Sequence, residues 1–200
     1  HNANNIFDED RLRVAYSPAA SRYWLVWAST PNTMAATVSR VQGIAVASDG
    51  RIIFPQVDFT GPLGLGQPTA ADTSPSVVYN PEADEFLVTW LGLEYWYVFD
   101  RHDAAVFAQR VTASSSAVVG APLIVSRDEH TKMPPRAMYP DVAYVPGGGY
   151  LLAWVGTAPF GNGLGTIQLR WLPGDLENRL PTVFSALPET TACVGTQPAL

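Results

Sequence analysis

One sentence-like pattern recurs three times along this chain: RVAYSPAASRYWLVW at 13–27, SVVYNPEADEFLVTW at 76–90 and DVAYVPGGGYLLAW at 141–154. Each copy reads small-Val-x-Tyr-x-Pro, a short turn, an aromatic, then an apolar run that ends in Trp. The tyrosines are Tyr16, Tyr79 and Tyr144, and the tryptophans are Trp27, Trp90 and Trp154. A near-constant spacing of this kind marks a repeat architecture, in which one supersecondary unit is stacked on copies of itself. A residue present in every copy is therefore expected to do the same structural job each time, and the repeated Tyr and Trp are expected to pack the units together, because aromatic side chains bury the largest areas in a β core.

Two further strand signals follow each hairpin: ATVSRV (36–41) and RIIFPQVD (51–58), VFAQRV (106–111) and APLIVS (121–126), TIQLRW (166–171) and PTVFSA (181–186). All are short, rich in β-branched or aromatic residues, and bounded by Gly, Pro, Ser, Asp or Asn, and no stretch holds a 3.6-residue period over more than two turns. The chain thus reads as all-β, with four antiparallel strands A to D in each unit, and four-stranded units at a constant period predict the blades of a β-propeller. The 200 residues form a single propeller segment with blades at about 12–58, 75–126 and 140–186, and with 187–200 as the lead-in to a further blade.

Strand parity then sorts the connections. The A–B and C–D links are short and lie at one end of the blades. The B–C links (28–36, 91–105, 155–165) and D–A links (59–74, 127–139, 187–197) are long and lie at the other. Loops held on a rigid scaffold are where binding residues concentrate. Pro18, Pro81 and Pro146 stop strand A with a fixed φ suited to a turn.

The blades resemble a repeat of secreted bacterial β-propellers whose consensus is near P-x-V-A-Y-N-P…Y-L-V-x-W…Q-R-V, with SVVYNPEADEFLVTW and VFAQRV as the nearest copy. The resemblance covers nearly the whole chain. It implies a propeller in a secreted, periplasmic or cell-surface protein and implies no single activity, since propellers host many functions. Propellers close with four to eight blades, whereas three are counted here. GTQPAL (195–200) aligns with the start of strand A in SPSV (74–77) and YPDV (139–142). The expectation is part of a longer chain, half of a six-bladed homo-oligomer, or a share of a propeller completed by another protein.

Composition narrows the partners. The net charge is −6 and Lys132 is the single lysine, which argues against a nucleic-acid partner, because phosphate binding needs clustered Lys and Arg. Apolar residues make up 47% and charged residues 15%, enough to build a core. The apolar runs are strand-sized, so no transmembrane segment is expected. Cys193 has no second cysteine to pair with.

The unrepeated residues carry the functional candidates. The B–C loop of the second copy holds Tyr95, Trp96, Tyr97, Asp100, His102 and Asp103, and the D–A loop beside it holds Asp128, Glu129 and His130. The three aromatics are candidates for contact with a protein partner or a glycan, since exposed aromatics are enriched at interfaces. His102, His130, Asp100 and Asp103 are weak candidates for a divalent metal, imidazole and carboxylate being common ligands, though no diagnostic spacing is present and no cofactor is expected. Arg40, Arg110 and Arg170 align in the C-strand motif and are expected to be structural. SDGRIIF (48–54) departs from the Asp-box of sialidases, and Asp49-Gly50 reads as a hairpin turn. The expected function is a non-catalytic binding scaffold that uses its long-loop face. The alternatives are a hydrolase propeller of glycosidase or sialidase type, or a structural subunit of a surface assembly or filament.

Overall fold

The structure, a computed structural model, describes residues 7–31, 40–53, 55–60, 74–96, 101–126, 136–157, 165–174, 176 and 184–185. The first sheet comprises β1 (Phe7–Ser17), β2 (Arg22–Pro31), β3 (Arg40–Ala47) and β4 (Val57–Asp58). The second comprises β5 (Ser76–Asn80), β6 (Glu85–Trp96), β7 (Arg101–Thr112) and β8 (Val118–Ile124). The third comprises β9 (Arg136–Val145), β10 (Gly149–Thr157), β11 (Gly165–Pro173) and β12 (Phe184–Ser185). Each is a four-stranded antiparallel sheet whose strands follow one another in chain order. These are the three blades the repeat predicts.

Alternation within the central strands supplies both faces of each blade. In β2, Trp24 and Val26 point one way and are fully buried. Tyr23, Leu25 and Trp27 hold the alternate positions, which face the other way. Trp24, Val26, Val41 and Ala45 of the first blade meet Phe86, Val88, Trp90 and Phe107 of the second in one core cluster. Leu87, Leu91, Val106 and Ala108 on the other side of the second blade meet Tyr150, Leu152, Trp154 and Leu172 of the third in another. The blades therefore stack face on face, with one apolar layer between each pair. Rings dominate the first layer: Trp90 stacks on Phe107 (centroids 5.8 Å, 15°) and meets Phe59 tilted at 43° (5.8 Å), and Trp24 packs on Phe86 (6.2 Å).

The strands differ from the sequence expectation mainly at their ends. β1 begins at Phe7, where FDEDRLR reads as a polar stretch, and accommodates it through a register shift between Asp10 and Arg13. β9 begins at Arg136, with a second shift between the Met138↔Val155 and Asp141↔Ala153 pairs. Pro140 sits in that irregularity, and Tyr139 before it has φ 52°. A bulge is one of the few places a strand tolerates proline. In the first blade the outer D strand is shorter than expected. Only Val57–Asp58 pairs with β3 from 51–58, apart from an isolated Val46↔Ile52 bridge, and Phe184–Ser185 is the described part of 181–186. In the second blade, β8 starts at Val118, so the C–D turn is tighter than the 112–120 link expected.

The aligned arginines do not share a structural position. Arg40 lies opposite Ser29, Arg110 opposite Leu87 and Arg170 opposite Leu152. Their partners differ accordingly. Arg40 is exposed and pairs with Asp58 at 3.0 Å, Arg110 reaches Glu85 at 3.5 Å, and the buried Arg170 donates to the Val125 carbonyl of the preceding blade at 2.7 Å. The last ties one blade to another. Each is structural, but they form no ring.

Candidate functional site

The two ends of the blade stack are used differently. At the short-turn end, the A–B and C–D turns meet as parity predicts: the Ser48 N–H donates to the Ser21 carbonyl (3.1 Å) and the Ala113 N–H to the Asp84 carbonyl (2.8 Å). Ser21 and Asp84 hold the left-handed position of their turns, at φ 52° and 48°. The same end carries most of the polar ties between blades. The Arg22 guanidinium donates to the Ala113 carbonyl at 3.1 Å and also to Ser114, and Ser17 Oγ lies 3.5 Å from Asp84. Asn80 Nδ2 donates to the buried Tyr150 hydroxyl at 3.1 Å. The Gly147 N–H donates to Glu82 at 2.7 Å. Burial pushes the Tyr150 hydroxyl up to about 12. This end is thus committed to holding the stack together.

Glu82 offers a check on that assignment. Hydrogen bonds from the Tyr144 hydroxyl, and then from the Gly147 N–H, hold its carboxyl below the ordinary value of 4.5. A carboxylate with a lowered folded value stabilises the fold above its unfolded value. That contribution disappears as pH falls through the lowered folded value. Glu82→Gln is therefore expected to lose a little stability at neutral pH, the pair being exposed, and none below the lowered folded value, so that the two stability curves converge in acid. Chemical denaturation of both proteins across the acid range checks it, and parallel acid limbs would remove Glu82 from the blade contact.

At the opposite end, the 91–105 segment expected as a long loop is mostly strand. β6 and β7 stay in register from Glu85↔Thr112 to Trp96↔Arg101, leaving a connection of only 97–100. β5 pairs with β6 only as far as Thr89, and the β8 side last reaches β7 at Val106, through the Val125 N–H and Ser126 Oγ. Five further rungs, Gly92↔Ala105 to Trp96↔Arg101, continue with no third strand among the described residues. At ~3.4 Å per residue these rungs run about 17 Å beyond the ends of the described flanking strands. The root of this β6–β7 ribbon is anchored: Leu91 and Val106 are buried beside Ala137 of the third blade. Gly92 permits the Phe107 ring to lie across the ribbon, for a Cβ there would come within 2.7 Å of that ring.

This places four of the sequence-derived candidates. Tyr95 lies opposite His102, Trp96 opposite Arg101, and Asp103 opposite Glu94, all in the last three rungs. Tyr97 and Asp100 belong to the connection and, with Asp128, Glu129 and His130, lie outside the described residues. Among the described residues no group of three or more His, Cys, Asp or Glu is placed to hold a metal. Ladder pairing is made by the backbone, so it runs through Glu94, Arg101 and Asp103 in a segment expected as a loop.

A separate shallow cavity of about 180 Å³ opens on the second blade, lined by Arg110 and the apolar Val119, Leu123 and Leu176 among others, with no carboxylate in its wall. No helix among the described residues is long and apolar enough to cross a membrane.

No protein-family model matches the chain, and no curated protein matches it. Among solved structures it is similar to an N-acetylgalactosamine deacetylase from F. plautii in complex with blood group B trisaccharide, with a TM-score of 0.50 and 13% identity. The match covers 82% of this chain and 49% of that one, so the chain spans about half the length of the protein it resembles. At that identity the likeness is one of fold.

Proposed function

We propose that the chain is a β-propeller segment, of the secreted bacterial repeat type, that works outside the cytoplasm as a non-catalytic binding scaffold. Its contact element is the β6–β7 ribbon, and its partner is a protein. The observation that carries this reading is the ribbon itself. It is the longest hairpin of the described fold, and it continues past the strands on both sides while placing Tyr95 and Trp96 in its last two rungs. A two-stranded ribbon with no third strand is marginal in water by itself. Here its buried root fixes it to the blade stack, and a preorganised aromatic element loses little entropy on binding. The short-turn end, by contrast, already spends its polar groups between blades.

The decisive variant is Trp96→Ala. The expected result is a loss of partner affinity of roughly 2 kcal/mol, or about 30-fold, as for an aromatic anchor, with an unchanged melting temperature. Binding of the purified chain and the variant to a displayed library of extracellular proteins, with a glycan array in parallel, measures it. Equal binding by the two removes the ribbon from the interface. Trp96-dependent binding confined to the glycan array would transfer the site to a carbohydrate ligand. The hydrolase alternative needs a carboxylate pair set across a pocket, and hydrolysis of any member of a glycan panel would establish it over the scaffold reading.

A further inference from the structure

The two tyrosines of the first hairpin meet in a way that the other hairpins do not reproduce. Register pairs Tyr16 with Tyr23, Tyr79 with Phe86 and Tyr144 with Tyr150. Residues directly opposite in an antiparallel pair hold their Cβ atoms roughly 4.5–5.5 Å apart, so each pair brings two rings together. In the first blade the ring centroids stand 4.6 Å apart with 37° between the planes. That is the near end of the range for aromatic pairs, roughly 4.5–7 Å, and at a shallow tilt it puts carbon atoms of the two rings in van der Waals contact. Both residues also face outward: Tyr16 is 40% exposed and Tyr23 38%.

Neither other blade repeats this. In the second, Phe86 takes the place of Tyr23, so a second phenol is missing. In the third both phenols are present, but the rings meet edge-on at 6.4 Å and 71°. Tyr150 there is 0% exposed, and its hydroxyl is held by Asn80 at 3.1 Å. The second blade shows that packing at this rung does not require a hydroxyl on the B strand.

The chemistry available to two touching, exposed phenols is one-electron oxidation followed by radical coupling. We propose that Tyr16 and Tyr23 form a site of oxidative cross-linking, joined as dityrosine between β1 and β2 by a haem peroxidase acting with hydrogen peroxide. Each phenol gives up one electron and its hydroxyl proton. The two phenoxyl radicals pair their electrons in a new C–C bond between ring carbons ortho to the oxygens. The hydrogens on those two carbons then move as protons to the oxygens, one on each ring, and both rings become aromatic again. The two electrons and two protons removed convert the peroxide to two waters. β1 and β2 hold the rings together before the radicals form, so coupling within the hairpin outpaces coupling between chains. The link joins neighbouring strands of one hairpin and draws on no group outside it. It supplies a covalent tie in a chain whose one cysteine, Cys193, cannot form a disulfide within it.

Treatment of the 200-residue chain with a haem peroxidase and limiting hydrogen peroxide tests this, followed by trypsin, which cuts after Arg13, Arg22 and Arg40 and so separates the two tyrosines. The expected product is a monomer lighter by two hydrogen atoms, from which peptides 14–22 and 23–40 are recovered as one species with dityrosine fluorescence. Tyr16→Phe and Tyr23→Phe keep the ring and remove the phenol. Each is expected to lower the yield roughly tenfold, coupling then being left to encounters between chains. Tyr79→Phe, at the same rung of the second blade, should leave the yield unchanged. Failure of the two peptides to join overturns the proposal. So does a Tyr16→Phe protein that gives the wild-type yield, or dityrosine confined to covalent dimers.

Discussion

Trp90→Ala is expected to cost about 3–5 kcal/mol, as for deletion of a fully buried aromatic, whereas Trp27→Ala at the same repeat position costs roughly 1–2 kcal/mol from partial burial alone. Both residues end the same apolar run, and nothing in their local sequence separates them. Their surroundings do. Trp90 is 0% exposed and stands between Phe107, stacked at 5.8 Å, and Phe59, tilted at 5.8 Å. Its removal opens a cavity in the layer joining the first two blades, and the neighbouring rings are held by their own strands and cannot collapse into it. Trp27 is half-buried on the open face of the first blade. Urea denaturation measures both. Equal costs would mean that the first blade's face is covered as the others are.

The contrast also shows what could and could not be read in advance. The three hairpins were legible because alternation in RYWLVW, EFLVTW and YLLAW is the direct signature of a two-faced strand, and because Pro and the turn residues bracket it. The polar extensions, 7–11 and 101–103, were not. Their pairing rests on backbone hydrogen bonds, which a polar side-chain pattern does not announce. The arginine alignment failed for a related reason. Repeat period places a residue along the chain, but the pairing of strand C with strand B is set by how much of the intervening segment joins the ladder. That differs between blades, so Arg40, Arg110 and Arg170 fall opposite Ser29, Leu87 and Leu152. Of the candidate contact residues, Tyr95, Trp96, His102 and Asp103 fall in the last three rungs of the hairpin, which brings together what a loop would also bring together. That they stand on paired strands was not visible, because nothing in the sequence states how far the β6–β7 ladder runs.

Gly149→Ala is expected to be among the most damaging single substitutions in the third blade, costing about 4 kcal/mol from backbone strain and overpacking combined. The third hairpin has one residue fewer between its Tyr and Trp than the other two: Tyr144 to Trp154 against Tyr16 to Trp27 and Tyr79 to Trp90. The longer turns use a non-glycine residue at the left-handed position, Ser21 at φ 52° and Asp84 at φ 48°. The shorter turn closes instead with Gly147 at φ 78° and Gly149 at φ 135°. At Gly149 the strain is compounded by contact. A Cβ would stand 2.2 Å from the Leu172 carbonyl oxygen and 2.8 Å from the Gly174 nitrogen, backbone atoms that cannot rotate away as a side chain would. Relief requires β10 and β11 to separate at their Gly149↔Pro173 end. Leu172 and Tyr150 next to it are fully buried against the second blade, so the damage should spread into that layer. Gly147→Ala is the control: its φ is also positive, but a Cβ there meets nothing within 4 Å, so its cost should stay near 1 kcal/mol. Thermal denaturation of the two variants separates space from conformation. Equal losses would mean that strain at positive φ alone sets the requirement for glycine in this turn, and that the close approach of the Leu172 carbonyl is not a constraint on the blade.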